Sequence, residues 1–565
     1  MKLYFSTIFL FFFYLGNAQK QYPKNYFSSP LKIPIILSGT FGELRSNHFH
    51  SGIDIKTLGK QGIPIYAPAN GYVSRIKVSQ YGFGKAMYIK HPNGYTTVYA
   101  HLKKFEKNIQ KYVKGIQYKK ENYHTGNLFP EQNKFPIKKG QLIGYTGDTG
   151  GSGGPHLHYE IRDTKTEKII NPLLFGINPK DSKAPSIKKL IAYPLNEQSR
   201  INNSSLKSVL SFKEISKNNY ISENITASGI IGFGISVFDR LNGAQNKNGI
   251  YSLEMKVNGH NVYHHSMETF SFTTSKHINL LIDYENYARF KNKFQKTFKH
   301  KSSKLKIFKS LINNGVVNIK NGFNYNIEIS ATDFAGNKTI IKVPVKGVES
   351  NAVFKKAKDT TAYKITATKF NKFTKNGVTI AFPKNTFYED LYIDFNVENT
   401  IATIHKPRIA LDKSYTLTFD VSQYTEAEKK QLYIANINNK KYPSYQNTRK
   451  KGNTFYTTTK TLGKYTLMSD KQIPIINLKK IKNGQWITNH NAIVVKIDDK
   501  ETGVKSYRAT IDGEWILMEY DLKKKQIVYD FKDKKLVGAK HVLEIEVEDN
   551  VGNTNSLSAT FYKKE

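Results

Sequence analysis

The chain has 565 residues, more than one hydrophobic core can serve. Its 39% apolar and 13% aromatic content, with mean hydropathy −0.51, excludes a multispan membrane protein and a disordered polymer. A formal charge of +41 is spread along the chain without a long basic tract, which argues against nucleic acid as a partner and leaves weak attraction to anionic envelope polymers.

There is no cysteine, so disulfides and a lipid anchored through an N-terminal Cys are excluded, and any metal ligands must be His, Asp or Glu. Lys2, the apolar run Leu3–Leu15 and the small residues around Gly16-Asn17-Ala18 read as a signal peptide over 1–18. That run is shorter than the roughly 20 residues needed to span a bilayer. No later stretch is apolar and long enough either. The mature chain is therefore expected without a transmembrane segment and outside the cytoplasm, in the periplasm or cell envelope or secreted.

From Pro34 to about Pro172 short strand-like runs alternate with glycine, and Asn93-Gly94 between two of them is a hairpin signal. This region, 30–180, reads as one antiparallel β domain. Pro179 to Pro185 reads as a linker. Beyond it, Gly249–Gly259 aligns without gaps to Gly503–Gly513, and Ile327-x-Ile329-x-Ala331-x-Asp333-x-x-Gly336-Asn337 matches Leu543-x-Ile545-x-Val547-x-Asp549-x-x-Gly552-Asn553. Each is an alternating strand running into a tight turn. These endings read as immunoglobulin-like sandwiches over 186–350 and 472–565, with a β domain of uncertain type over 352–470. The first sandwich carries extra residues, placed around Phe290–Ser310. The fold class is mostly β. No chemistry is expected beyond residue 190, where His264-His265 reads as a surface pair, so a chain ending near Lys180 is expected to fold and hold metal.

Three fragments carry the chemistry. In His50-Ser51-Gly52-Ile53-Asp54 an imidazole and a carboxylate four positions apart converge on one cation if the chain turns at Gly52. In Gly154-Pro155-His156-Leu157-His158-Tyr159-Glu160 the period of two puts His156, His158 and Glu160 on one strand face. The third is His101, in Tyr99-Ala100-His101-Leu102 at a strand end. A catalytic zinc takes three protein ligands and keeps a fourth position open. His50, Asp54 and one histidine of the His-Leu-His pair meet that count, which leaves two histidines to manage protons.

These motifs in this order, with the run from Gly140 through Gly144, Gly147, Thr149, Ser152 and Pro155 to His156, resemble the lysostaphin-type (LytM-like) zinc peptidases over about residues 35–175. The resemblance implies Zn2+ held by His50, Asp54 and His158, with His156 and His101 as catalytic residues beside it. It implies an exported metalloendopeptidase acting on cross-bridge or stem peptides of peptidoglycan. Some relatives that have lost ligands only activate other wall hydrolases, but here every position is filled. A non-catalytic wall-binding scaffold and a secreted peptidase acting on proteins are the alternative readings. One departure is an insertion from Lys103 to about Lys134. Phe105, Ile109 and Tyr112-Val113 give it an apolar helical stripe, suited either to a lid over the groove or to packing elsewhere.

Overall fold

The computed structural model describes residues 21–349 and 360–564; the signal-peptide reading and the boundary between 350 and 352 lie outside them. The N-terminal domain runs through β1 (Leu37–Gly39), β2 (Ile53–Lys56), β3 (Pro64–Tyr66), β4 (Gly71–Val78), β5 (Ala86–Lys90) and β6 (Tyr95–Ala100). It continues through β7 (Lys104–Phe105), α1 (Lys107–Lys120), β8 (Gly126–Leu128), β9 (Pro136–Ile137), β10 (Leu142–Tyr145) and β11 (His156–Asp163). One antiparallel sheet has the order β1-β2-β11-β6-β5-β4-β8, and a smaller one the order β3-β10-β7. The Asn93-Gly94 turn joins β5 to β6 as its sequence predicts, with Gly94 at φ 83°.

Gly52 acts differently from its expected role as a flexible turn. It is not among the residues with positive φ; what matters there is the missing side chain. A Cβ at Gly52 would stand 2.4 Å from the Tyr159 carbonyl oxygen on β11, so the His50–Asp54 segment lies against that strand only with glycine there. Gly52→Ala is expected to destabilise the protein by about 2 kcal/mol, the usual scale for forcing extra volume into a packed site. Chemical denaturation of the two proteins measures it.

The insertion after His101 is helical over α1, capped by Glu106, with Ile109, Val113 and Gln117 buried. Phe105 belongs to β7 rather than to the helix. Of the two uses open to its apolar stripe, packing is the one adopted. Ile109 and Val113 join the N-terminal core, and Tyr118 meets Trp515 edge-on with ring centroids 5.3 Å apart. Lys114 pairs with Asp533, and Arg508 pairs with Glu121.

The remaining described residues form β sheets around three further cores, centred on residues 187–345, 365–465 and 476–561. The extra residues of the first of these begin earlier than Phe290. They include a two-residue strand at Thr269–Phe270 and three short helices between Phe272 and Phe290. His265 is not a surface residue: it is fully buried, with the Tyr263 hydroxyl 2.9 Å from its Nδ1.

This extra segment completes the N-terminal core. Phe270 packs on Phe41 and Phe49 at 4.7 and 5.3 Å between centroids, and Met267, Ile278, Leu281, Leu305 and Ile307 belong to the same cluster. The Ser275 hydroxyl accepts the Phe49 amide, and Ile169–Ile170 pairs with Thr269–Phe270. The expectation that a chain ending near Lys180 folds alone is therefore revised. Truncation there removes one wall of the core and is expected to cost on the order of 5 kcal/mol, since several large apolar side chains lose cover. Thermal unfolding should show a lower, broader transition than a chain ending at 349.

Candidate metal centre

Strand register assembles the centre. β11 lies between β2 and β6, and His158 stands directly opposite Asp54 on one side and Ala100 on the other. His101 follows Ala100 and leaves the strand in the left-handed region at φ 59°, a conformation that non-glycine residues adopt sparingly and that collects at functional sites. His50 reaches the same point from the loop before β2. The five residues named from the sequence are thus brought to one place.

His50 Nε2, Asp54 Oδ1 and His158 Nδ1 lie 2.9–3.1 Å from one another. His156 Nε2 is 3.4 Å from the same Asp54 oxygen, and the His101 and His156 rings are 4.9 Å apart. His50, Asp54, His158 and His101 are buried, while His156 opens onto a groove of about 620 Å³ that also meets Arg45, Lys56 and Pro155.

Each imidazole has its outer nitrogen committed to an acceptor. Nδ1–H of His50 donates to the Thr40 carbonyl at 2.8 Å, and Nε2–H of His158 donates to Glu160 at 3.0 Å. The outer Nδ1 of His101 donates to the Thr149 carbonyl, and that of His156 to the Gly154 carbonyl, both at 2.8 Å. These bonds assign the tautomers and turn the remaining nitrogen of every ring toward one place. Glu160 is fully buried and is itself gripped by Arg162 at 2.5–2.7 Å.

The electrostatics favour a cation at the meeting point. Burial alone would raise the Asp54 acid, yet His50 and the hydrogen bonds of His156, His158 and His50 hold it well below the usual range. Burial would lower His158, but Asp54 and Glu160 lift it to about 9. Glu160 would likewise rise on burial, but Arg162 and His158 pull it down to about 2. His101, by burial and its two histidine neighbours, falls to about 3.

The donor set fits zinc. Two imidazole nitrogens and one carboxylate oxygen, with their second atoms held from behind, are a three-ligand site with one position open. Ligands of a tetrahedral zinc at about 2.0–2.1 Å stand roughly 3.4 Å apart, a few tenths of an ångström wider than the spacing here.

A family model described as "Peptidase family M23" matches residues 48–118 and 123–172, which contain all five residues. Over these residues the chain is similar to peptidase family M23. This M23-like domain is 36% identical over 119 residues to the DD-carboxypeptidase/endopeptidase Mpg of Neisseria meningitidis, covering 21% of each chain. It is 35% identical over 154 residues to the peptidoglycan DD-endopeptidase ShyC of Vibrio cholerae, covering 26% of this chain and 28% of ShyC. The match thus spans 21% to 28% of these relatives. The solved catalytic domain of the M23 protein EnpA from Enterococcus faecalis aligns at 24% identity and TM-score 0.20, over 26% of this chain and 98% of that one. A "Zu5-like domain" model matches residues 362–470, where the sequence had suggested a β domain without a type.

Thr40 and Phe83 escaped the sequence reading, and Thr149 figured there only as one residue of the glycine-rich run. Thr40 and Thr149 act through backbone carbonyls, which leave no trace in residue type. Phe83, whose ring lies 5.1 Å from that of His158, is one aromatic among many.

The C-terminal domain also reaches this region. Lys85 Nζ bonds both Glu519 carboxylate oxygens at 2.8 Å, and Lys523 pairs with Asp148 at 2.6 Å. The Lys85 amide donates to the Thr149 hydroxyl, so the segment orienting His101 is held from outside the M23 domain.

Proposed function

We propose that this chain is an exported zinc metalloendopeptidase that hydrolyses peptide cross-links or stem peptides of bacterial peptidoglycan. The observation that carries the reading is the convergence of five residues, all present, in one cluster: His50, Asp54 and His158 within 3.1 Å of one another, with His101 and His156 alongside. His50, Asp54 and His158 would hold the zinc, which would supply Lewis-acid polarisation of the scissile carbonyl and a lowered pKa for the attacking water.

The chain's own residues do the rest. His156 Nε2 faces the groove with its ring fixed from behind by Gly154, so it takes the proton of the attacking water and delivers it to the leaving amine. His101, neutral and fixed by Thr149, turns its bare Nε2 to the other side of the same space, where it shares in accepting that proton. Glu160, clamped by Arg162, keeps His158 in the tautomer whose Nδ1 points inward. The groove is open and edged by Gly153, Gly154 and Pro155, which suits a thin, extended peptide.

Peptidoglycan as substrate rests on the resemblance to ShyC, and export on the reading of residues 1–18. The immunoglobulin-like assignment of 186–350 and 472–565 belongs to the same proposal and is supported by their shared Asp-x-x-Gly-Asn turns. Incubating the full chain with isolated peptidoglycan and, separately, with an unfolded protein separates the substrate classes. Soluble muropeptides with newly cut peptide bridges, and an intact protein substrate, are expected; degradation of the protein alone would refute the wall assignment.

A further inference from the structure

A second polar cluster is built of carboxylates alone. Asp181, Asp239 and Asp333 each offer an oxygen within 4.8 Å of the others. Asp181 lies in the linker that enters the second domain. Asp239 directly follows the long strand Ile225–Phe238, and Asp333 follows the strand Asn324–Thr332 in its Asp-x-x-Gly-Asn turn. Asp239 is 2% exposed, and its Oδ1 is buried with no hydrogen-bond partner. Burial, together with Asp181 and Asp333, pushes its acid up to about 7, and the Arg240 amide, which donates to the same carboxylate, and Lys183 offset only part of this. A cavity of about 220 Å³ opens against Asp181 and Asp239, walled by Phe41, Leu173, Leu241 and Phe334.

The C-terminal domain repeats the arrangement with Asp470, Asp499 and Asp549. Asp181 and Asp470 each begin an Asp-x-x-x-Pro segment, Asp239 and Asp499 each follow a strand, and Asp333 and Asp549 each open the same turn. There the carboxylates are satisfied. Asp549 Oδ1 accepts the amides of Val551, Gly552 and Asn553, and Asp499 Oδ1 those of Thr502 and Gly503. In the first cluster Asp333 accepts from Asn337 and Asp181 from the Lys183 amide, while Asp239 Oδ1 has nothing. Only the first cluster lacks a partner.

We propose that Asp181, Asp239 and Asp333 bind a divalent cation, and that the cation is calcium. An all-oxygen set of carboxylates selects a hard cation. Calcium takes carboxylates at about 2.3–2.6 Å in a flexible shell, whereas magnesium demands near-ideal octahedral geometry at about 2.0–2.1 Å, which a linker, a strand end and a turn do not impose. The adjoining cavity leaves room for water to complete the shell. The ion joins three segments that a bare triad pushes apart: linker, strand end and turn. It also bears on the loop behind the metal centre. Asp239 and Asn248 exchange two backbone hydrogen bonds, and the next residue, Gly249, donates its amide to the Thr40 hydroxyl at 3.0 Å. Thr40 is the residue whose carbonyl orients His50.

The test uses the full chain, stripped of metal and reloaded with zinc, titrated with calcium chloride while its unfolding temperature is read. The expected result is a rise of about 5 °C or more at a 100-fold excess over the dissociation constant. Hydrogen exchange should slow over residues 239–250. Asp239→Asn removes one of three repelling charges, so it should unfold no lower than the parent without calcium and show no rise with it. Asp181→Asn, at a more exposed position, should also lose the rise and guards against a folding defect in the first variant. No calcium-dependent rise in the parent, or an equal rise in both variants, would overturn the proposal.

Discussion

His158→Ala is expected to remove zinc and activity together. The side chain supplies one of three donor atoms, and its Nδ1 sits 2.9 Å from Asp54 Oδ1 and 3.1 Å from His50 Nε2. Losing an outer partner of a metal ligand costs roughly 10–100-fold in affinity, so losing the ligand itself should cost more. The deletion also leaves Glu160 fully buried without its imidazole, with Arg162 and Ser51 as its remaining partners. Metal analysis of the dialysed variant should find less than a tenth of the zinc held by the parent, with peptidoglycan cleavage at background. Its strand remains hydrogen-bonded on both sides through the backbone, so circular dichroism should show a folded protein. Full zinc occupancy in the variant would remove His158 from the ligand set.

His156→Ala and His101→Ala are expected to separate chemistry from metal binding. Neither ring is one of the three mutually close donors, and each is anchored by a carbonyl outside that group. Zinc content should stay near that of the parent while turnover falls about 100-fold or more, the range for lost proton transfer or oxyanion stabilisation. The loss should appear in kcat more than in KM, because these groups act on charge that develops during reaction. Near-normal turnover in either variant would reduce that residue to a structural part.

The local content of the centre was legible because its spacing is local. A period of two placed His156, His158 and Glu160 on one face of β11, and three of them do line up along that strand. The helical stripe of Ile109 and Val113 likewise marked α1, since a period near four survives in any context. Pairing across the chain was not legible. That Asp54, His158 and Ala100 stand in one row depends on the register of three strands from separate segments. Nothing in the bare residue Phe270 says that it closes a core around Phe41 and Phe49. Lys85 and Glu519 meet across 434 positions, and no local pattern carries that contact. The carboxylate triads were half visible, through the repeated Asp-x-x-Gly-Asn turn, but their other members come from a linker and a strand end that only the fold brings together.

The most direct measurement counts new amino groups on isolated peptidoglycan exposed to the zinc-loaded chain, to the chain stripped by a chelator, and to the stripped chain given zinc again. Amino groups should appear with the loaded protein, cease on stripping and return with zinc, and mass analysis should place every cut in the peptide moiety. Cleavage that continues unchanged in the stripped protein, or release confined to the glycan strand, would contradict the account.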